Sequence, residues 1–128
     1  MPDYLDTSAF IKLVRSEPES PDLRRELAGR ELLSSMLLSV EGRRAARRYG
    51  ELATKRARAA LTAITLIPLD QPILDAAAEL ESAELRSLDA LHLATVVSLG
   101  EDLGRLYCYD VRLGDAAQAL GIEVSQPR

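Results

Sequence analysis

The chain has one cysteine, Cys108, one histidine, His92, and no tryptophan. A single cysteine excludes an internal disulfide framework. One cysteine and one histidine also exclude a Cys/His zinc site within one chain. Long apolar runs are missing too. The longest, Ala59 to Leu69, is interrupted by Thr62, Thr65 and Pro68 and is too short to span a bilayer. Asp3 and Asp6 break up the start, so no secretory n-region and h-region pattern opens the chain. The expectation is a soluble, cytoplasmic protein with no membrane segment. There is no internal repeat, low-complexity tract or linker. With 128 residues, 47% hydrophobic and 28% charged, the composition is ordinary globular usage, and residues 1–128 are expected to form one domain.

The formal net charge of -4 conceals an asymmetry. Residues 1–69 hold 12 basic and 9 acidic side chains, whereas residues 70–128 hold 4 and 11. Arg43, Arg44, Arg47, Arg48, Lys55, Arg56 and Arg58 crowd into 16 residues, opposed there only by Glu51. A low pI is therefore compatible with a strongly positive face. Such a run is either a solvated helix surface or a nucleic-acid contact, with Arg43, Arg44, Arg47 and Arg48 the candidate phosphate ligands.

Strand and helix patterns alternate along the chain. Tyr4-Leu5 is a short apolar start that meets the polar turn Asp6-Thr7-Ser8, and Ala9 to Val14 reads as a helix. Ser20-Pro21-Asp22 is a helix opening with Ser20 as the cap, and Gly29 follows its end. Leu32 to Ser34 reads as a buried strand. A helix starting near Ser39 runs through the arginines to about Gly50, and a second basic helix covers Thr54 to Ala63. Thr65 to Leu69 reads as a strand. Ile73, Ala77 and Leu80 share one helical face. Ser87 can cap the next helix, with Leu88, Leu91, Thr95 and Leu99 along a face and Gly100 at its end. Leu106 to Tyr109 reads as a strand running into Asp110, Leu113 to Leu120 as a helix, and Ile122 to Val124 as a last strand. Strands separated by helices predict an α/β sandwich around a mostly parallel sheet.

Ligands in open α/β sheets sit outside the carboxyl ends of the strands. Asp6 follows the first strand and Asp110 the fourth. Glu41 lies early in the helix after the second strand. Asp89 lies in the first turn after Ser87, where a helix N-terminus favours negative charge. Taken singly, each has a plain structural reading: Asp6 and Asp110 as turn formers, Asp89 as a helix-start residue, Glu41 as a surface partner of Arg44. Taken together, Asp6 and Asp89 fall inside apolar stretches. Four converging acids would raise their own pKa values or recruit a cation. All-oxygen ligands favour Mg²⁺ or Mn²⁺ over Ca²⁺. A metal-held water beside a phosphodiester is a nucleophile, and no catalytic Ser/His or Cys/His set competes with it.

The segments Tyr-Leu-Asp-Thr-Ser-Ala at 4–9, Ser-Val-Glu-Gly-Arg-Arg at 39–44, Leu-Asp-Ala-Leu-His-Leu-Ala at 88–94 and Tyr-Asp-Val-Arg-Leu at 109–113, with Ala-Leu-Gly-Ile near the end, together resemble a PIN-domain ribonuclease of the VapC toxin type. Each motif alone is weak, but the four stand in the family's order over nearly the whole chain. The resemblance implies a three-layer α/β/α sandwich with a mostly parallel central sheet. It implies a metal site of Asp6, Glu41, Asp89 and Asp110 with Ser8 beside it; Thr7 reads as part of the turn and is placed with Ser8 behind the ligands. It further implies Mg²⁺- or Mn²⁺-dependent cleavage of single-stranded or loop RNA, from tRNA or ribosomal RNA. A homodimer and a cognate antitoxin that wraps the toxin and blocks the site are also implied. The two basic helices are too charged to form the centre of a dimer.

One position departs from the family pattern. Cys108 stands two residues before the last acid, where the family commonly has Ser or Thr, and a thiol is the weaker hydrogen-bond partner. Asp115 is a possible substitute for Asp110, although it reads as a surface residue on the following helix. His92, three residues after Asp89, is expected in the core or behind a ligand rather than as a general base. Cys108 is expected to be buried and inert. Two other readings stay open: a catalytically silent PIN-like module that binds RNA or protein, and a phosphoryl-transfer domain with Asp6 as nucleophile. The latter lacks a second acid at position 8 and a lysine in the last third of the chain.

Overall fold

The computed structural model describes residues 1–128. Five parallel strands form its centre: β1 (Asp3–Leu5), β2 (Leu32–Ser35), β3 (Ile64–Ile67), β4 (Leu106–Tyr107) and β5 (Val124–Ser125). Their order across the sheet is β3-β2-β1-β4-β5. Seven helices connect them: α1 (Thr7–Val14), α2 (Ser20–Leu27), α3 (Leu38–Arg47), α4 (Glu51–Thr62), α5 (Gln71–Ala78), α6 (Ser87–Leu99) and α7 (Val111–Ala119).

Period-2 alternation on the strands divides the core into two layers. Leu5 and Tyr107 point to one face, where α1 to α4 bring Phe10, Val14, Leu23, Leu38, Ala46 and Ala57. Tyr4, Leu106 and Cys108 point to the other, against Leu93 and Val96 of α6 and Leu113 and Ala117 of α7. The expected α/β/α sandwich with a parallel sheet is what forms.

Several element ends differ from the sequence reading, each for a local reason. The helix after β1 begins at Thr7 rather than Ala9, because Asp6 accepts from Ala9 N and so caps it. Ser20 is the first residue of α2, not its cap. Its hydroxyl instead donates to Arg15 O and accepts from Glu17 N, folding the preceding loop onto the helix. Ser87 likewise is not a cap. The Arg86 carbonyl accepts from Ala90 N, so α6 starts one residue sooner and Ser87 makes no capping bond. β4 stops at Tyr107, since Tyr109 N donates to Ser8 Oγ rather than to a strand. Ile122 N closes α7 by donating to Ala117 O, which moves β5 to Val124–Ser125.

The stripe drawn through Leu88, Leu91, Thr95 and Leu99 is also not the buried face of α6. The helix buries His92, Leu93, Ala94, Thr95 and Val96 and exposes Leu88, because the sheet and α5 cover it from two sides. The hairpin of α3 and α4 turns at Gly50, whose φ of 98° is open to glycine. Its inner face is small (Gly42, Ala46, Ala53, Ala57), so α3 seats directly on Phe10 of α1.

Candidate active site

The sheet order places a topological switch between β1 and β4. From β1 the chain moves outward to β2 and β3, then crosses back to β4 on β1's other side. Connections leave the carboxyl ends of these two strands toward opposite faces, which opens a crevice there. Asp6 follows β1 directly, and Asp110 stands three residues past the end of β4.

Asp6 is buried. Its Oδ1 accepts from Ala9 N at 2.9 Å, and the Ser8 hydroxyl donates to its carboxylate at 2.6–2.8 Å. Ser8 Oγ also accepts from Tyr109 N at 2.8 Å, so one side chain ties the β1–α1 turn to the loop after β4. Burial pushes the Asp6 carboxyl above its ordinary range, against the lowering effect of Ser8 and Ala9. Asp110 caps α7, its Oδ1 accepting from Leu113 N at 2.9 Å. That hold on its carboxylate does not involve residue 108. The buried Cys108 thiol donates to Asp110 O at 3.3 Å, and burial, then the charge of Asp6, push its pKa far up. The thiol stays protonated, as an inert reading requires.

Asp89 is the third residue of α6, in its first turn, and is half-buried. With Asp110 it lines a cleft of about 270 Å³ that also takes in Glu84, Arg86, Val111 and Arg112. Burial raises the Asp89 carboxyl, and the charges of Asp110, Asp6 and Glu41 raise it further. The other three sequence-selected acids thus all lie close enough to act on Asp89, at the carboxyl end of the sheet. As the side chains rest, no three acids, histidines or cysteines close on a single point as a finished metal cage.

Glu41 sits in the first turn of α3, its side chain 19% exposed. Thr7 Oγ1 donates to its Oε1 at 2.8 Å, and His92 Nε2 lies 2.9 Å from the same oxygen. Burial acts to raise its pKa, but the bonds from His92 and Thr7 outweigh that and hold it below the usual range. Thr7 is thus not a bystander of the turn: it opens α1 and reaches across to α3. Sequence reasoning placed His92 behind the acids without finding its partners, which include Tyr4. One candidate, Asp115, falls away from the site. Asp115 is exposed on α7 and lines a separate cleft with Val111 and Gln118. Asp3 is fully buried at the opposite end of β1, paired with Arg30 and accepting from Arg105 N.

Arg43, Arg44, Arg47 and Arg48 are all exposed, and none of them is in an ion pair with a carboxylate. Arg43, Arg44 and Arg47 line a cleft of about 340 Å³ between α3 and α4, together with Val40, Thr54 and Arg58. Thr54 was not singled out from sequence, and Arg58 was read as part of the basic run but not among the phosphate ligands. Their i, i+4 spacing on the facing helix is the signal that could have found them.

A family model described as PIN domain matches residues 4–117. Ribonuclease VapC46 of Mycobacterium tuberculosis is 50% identical over 125 residues, which is 97% of this chain and 96% of that protein. Ribonuclease VapC47 of the same species is 38% identical over 130 residues, with the same two coverages. Among solved structures, Mycobacterium tuberculosis VapC20, a Sarcin-Ricin loop cleaving toxin, superposes with a TM-score of 0.75 at 19% identity, over 97% of this chain and 98% of that one. A chain of a toxin–antitoxin complex from Klebsiella pneumoniae gives 0.74 at 24% identity, over 98% of both chains. These two establish the likeness of fold. The parallel sandwich, the family match over residues 4–117 and the extent of identity lead to one assignment: the chain belongs to the PIN-domain family, as a VapC-type endoribonuclease toxin of a toxin–antitoxin system.

Proposed function

We propose that Asp6, Glu41, Asp89 and Asp110 are the catalytic acids, and that they work with a divalent cation, Mg²⁺ or Mn²⁺. The observation that carries this is placement: Asp6 and Asp110 lie at the switch between β1 and β4, Asp89 and Asp110 line one cleft, and burial and the charges of Asp110, Asp6 and Glu41 raise the Asp89 carboxyl. Like charges held together at neutral pH need either protons or a cation. The donor set is all oxygen, which suits a small hard ion. Mg²⁺ keeps waters and takes one or two carboxylates plus substrate phosphates, so it does not need a closed cage of protein ligands. Asp6, Asp89 and Asp110 would hold it, directly or through water, with Glu41 completing the set. The ion supplies Lewis-acid stabilisation of the phosphate and a water of lowered pKa.

The chain's own residues do the rest. Hydrolysis forms one bond from water oxygen to phosphorus and breaks one bridging P–O bond. The water's proton needs an acceptor, and the departing oxygen needs a proton. Glu41, kept ionised by two hydrogen-bond donors, is the base or the group that orients the water. Ser8 fixes Asp6 by donating to its carboxylate. The exposed, unpaired guanidinium groups of Arg43, Arg44, Arg47 and Arg48 bind phosphates of the RNA strand away from the cut. No side-chain nucleophile is required.

The substrate is a loop or single-stranded segment of tRNA or ribosomal RNA, met in the cytoplasm. Residues 1–128 act as one nuclease unit, paired as a homodimer. Its regulator is a cognate antitoxin, and an acidic pocket of this kind would accept an arginine from such a partner. Asp6→Asn or Asp89→Asn should abolish RNA cleavage while the fold survives, since asparagine caps a helix nearly as well as aspartate. Normal turnover by purified Asp6→Asn protein would refute the assignment. Absence of cleavage by the wild type at any Mg²⁺ or Mn²⁺ concentration would favour a silent RNA-binding module instead.

A further inference from the structure

His92 is the chain's only histidine and is 1% exposed. Its ring joins three elements. Nδ1 lies 2.8 Å from the Tyr4 hydroxyl on β1, while Nε2 lies 2.9 Å from Glu41 Oε1 on α3 and 3.1 Å from Thr7 Oγ1 on α1. The Tyr4 ring stands nearly perpendicular to the imidazole at 83°, with centroids 5.9 Å apart, which wedges the ring in place.

The protons in this network can be counted. Burial keeps the Tyr4 phenol protonated by pushing its pKa far up, so the hydroxyl has one hydrogen to give. Its hydrogen bond in this structure is to Nδ1. Nδ1 is then the acceptor, and the imidazole hydrogen sits on Nε2. The opposite tautomer would let the Tyr4 oxygen accept from Nδ1–H, but it would set an Nε2 lone pair against a carboxylate oxygen at 2.9 Å. The Thr7 hydroxyl donates to the same Glu41 oxygen at 2.8 Å. Oε1 therefore receives two donors from two helices, and Oε2 makes no hydrogen bond within the chain.

We infer that His92 is a positioning residue: an imidazole fixed by Tyr4 in its Nε2–H tautomer, which with Thr7 ties down Glu41 Oε1 and leaves Oε2 free for the reaction. It does not touch RNA and moves no proton in the chemical step. This inference rests on the assignment of Glu41 to the active site. Its first test is read on metal-free protein, so it fails or stands separately from the Asp6→Asn cleavage assay.

The first test is a long-range ¹H–¹⁵N correlation spectrum of the metal-free full chain. One imidazole gives one set of signals and needs no assignment. The expected result is a bare Nδ1 and a protonated Nε2, with Tyr4→Phe releasing the ring into exchange between tautomers. An Nδ1–H ring or a freely exchanging ring in the wild type would overturn the inference. The second test compares His92→Gln with His92→Asn. A glutamine amide can present N–H near the Nε2 position, whereas asparagine matches only Nδ1. His92→Asn should lower kcat about 10–100-fold with KM little changed, and His92→Gln should recover most of that loss. A purely structural histidine predicts equal losses in both variants, tracking their melting temperatures, and that outcome would refute the role. If neither variant folds, the wild-type and Tyr4→Phe spectra decide the question alone.

Discussion

Gly42 links core packing to the position of a catalytic candidate, and a single methyl group should expose the link. A Cβ built on Gly42 would meet Phe10 Cε2 at 2.7 Å and Cδ2 at 2.9 Å, whereas ordinary contact begins at 3.4 Å. Taking 3.4 minus 2.7 Å, α3 must retreat from α1 by about 0.7 Å, or the ring must yield by as much. Phe10 is 0% exposed in a packed core, so the ring has little room. The neighbouring residue Glu41 accepts from Thr7 of α1 at 2.8 Å. A 0.7 Å retreat would stretch that bond to about 3.5 Å, at the edge of hydrogen bonding. Overpacking costs about 1–3 kcal/mol, and replacing a mid-helix glycine with alanine returns roughly 1. Gly42→Ala should thus lose about 0–2 kcal/mol of stability in urea unfolding, yet lose disproportionately in kcat, toward the roughly 100-fold that an ångström of misplacement can cost. Adding Phe10→Leu should restore part of kcat by making room, although it lowers stability further. A Gly42→Ala protein with wild-type kcat and an unchanged urea midpoint would refute the coupling.

Other consequences are open to test. Asp6 has its pKa raised by the fold, so its ionised form is disfavoured there. Its contribution to stability is fullest below the unfolded carboxyl pKa and is lost as pH rises through the folded value. Metal-free Asp6→Asn should therefore melt above the wild type at neutral pH, with the gain vanishing in acid. Mn²⁺ should raise the wild-type melting temperature and not the variant's, and calorimetry would show the reverse if the acid were stabilising. Arg47→Ala and Arg58→Ala, on opposite walls of the α3–α4 cleft, should each weaken binding of RNA to cleavage-dead protein. Each should also flatten the slope of log K against log salt by about 0.7 for a single strand, and an unchanged slope would remove the cleft from the RNA path. Cys108→Ser should keep wild-type activity within a few-fold, roughly 1 kcal/mol or less, because Asp110 is held by Leu113 N. A tenfold loss would mean that the thiol contributes.

The layered parallel fold could be read from sequence because it follows from local patterns: short apolar runs, helical spacing and glycine stops. Element ends could be read less well, since serine hydroxyls serve more than one purpose. Ser20 and Ser87 both precede helical patterns, yet Ser20 bonds backward to Arg15 O and Glu17 N, and Ser87 bonds to nothing as a cap. Asp6 carried a signal that was available but read one step short. An aspartate capping through the N–H of the third following residue places the helix start at Thr7, not Ala9, and so moves Thr7 from the turn onto the helix facing Glu41.

The four acids could be proposed from sequence because each stands beside an element end, where local patterning is informative. What holds Glu41 could not, because its holding groups are remote in the chain. His92 reaches Tyr4, Thr7 and Glu41 across 88, 85 and 51 residues. Its i+3 spacing from Asp89 gave a helix side and nothing more. The strand order supplies the missing step. With β1 between β2 and β4, the turn after β1 faces both the helix that follows β2 and the α6 layer beneath β4. Tyr4 is the side chain that the alternation of β1 sends to the α6 side, while Leu5 goes to the other. A shift of one residue in β1 would put Leu5 under His92 and strip the imidazole of its donor. The register of the central strand thus sets the tautomer of a histidine on one face and, through it, the orientation of a carboxylate contributed from the other.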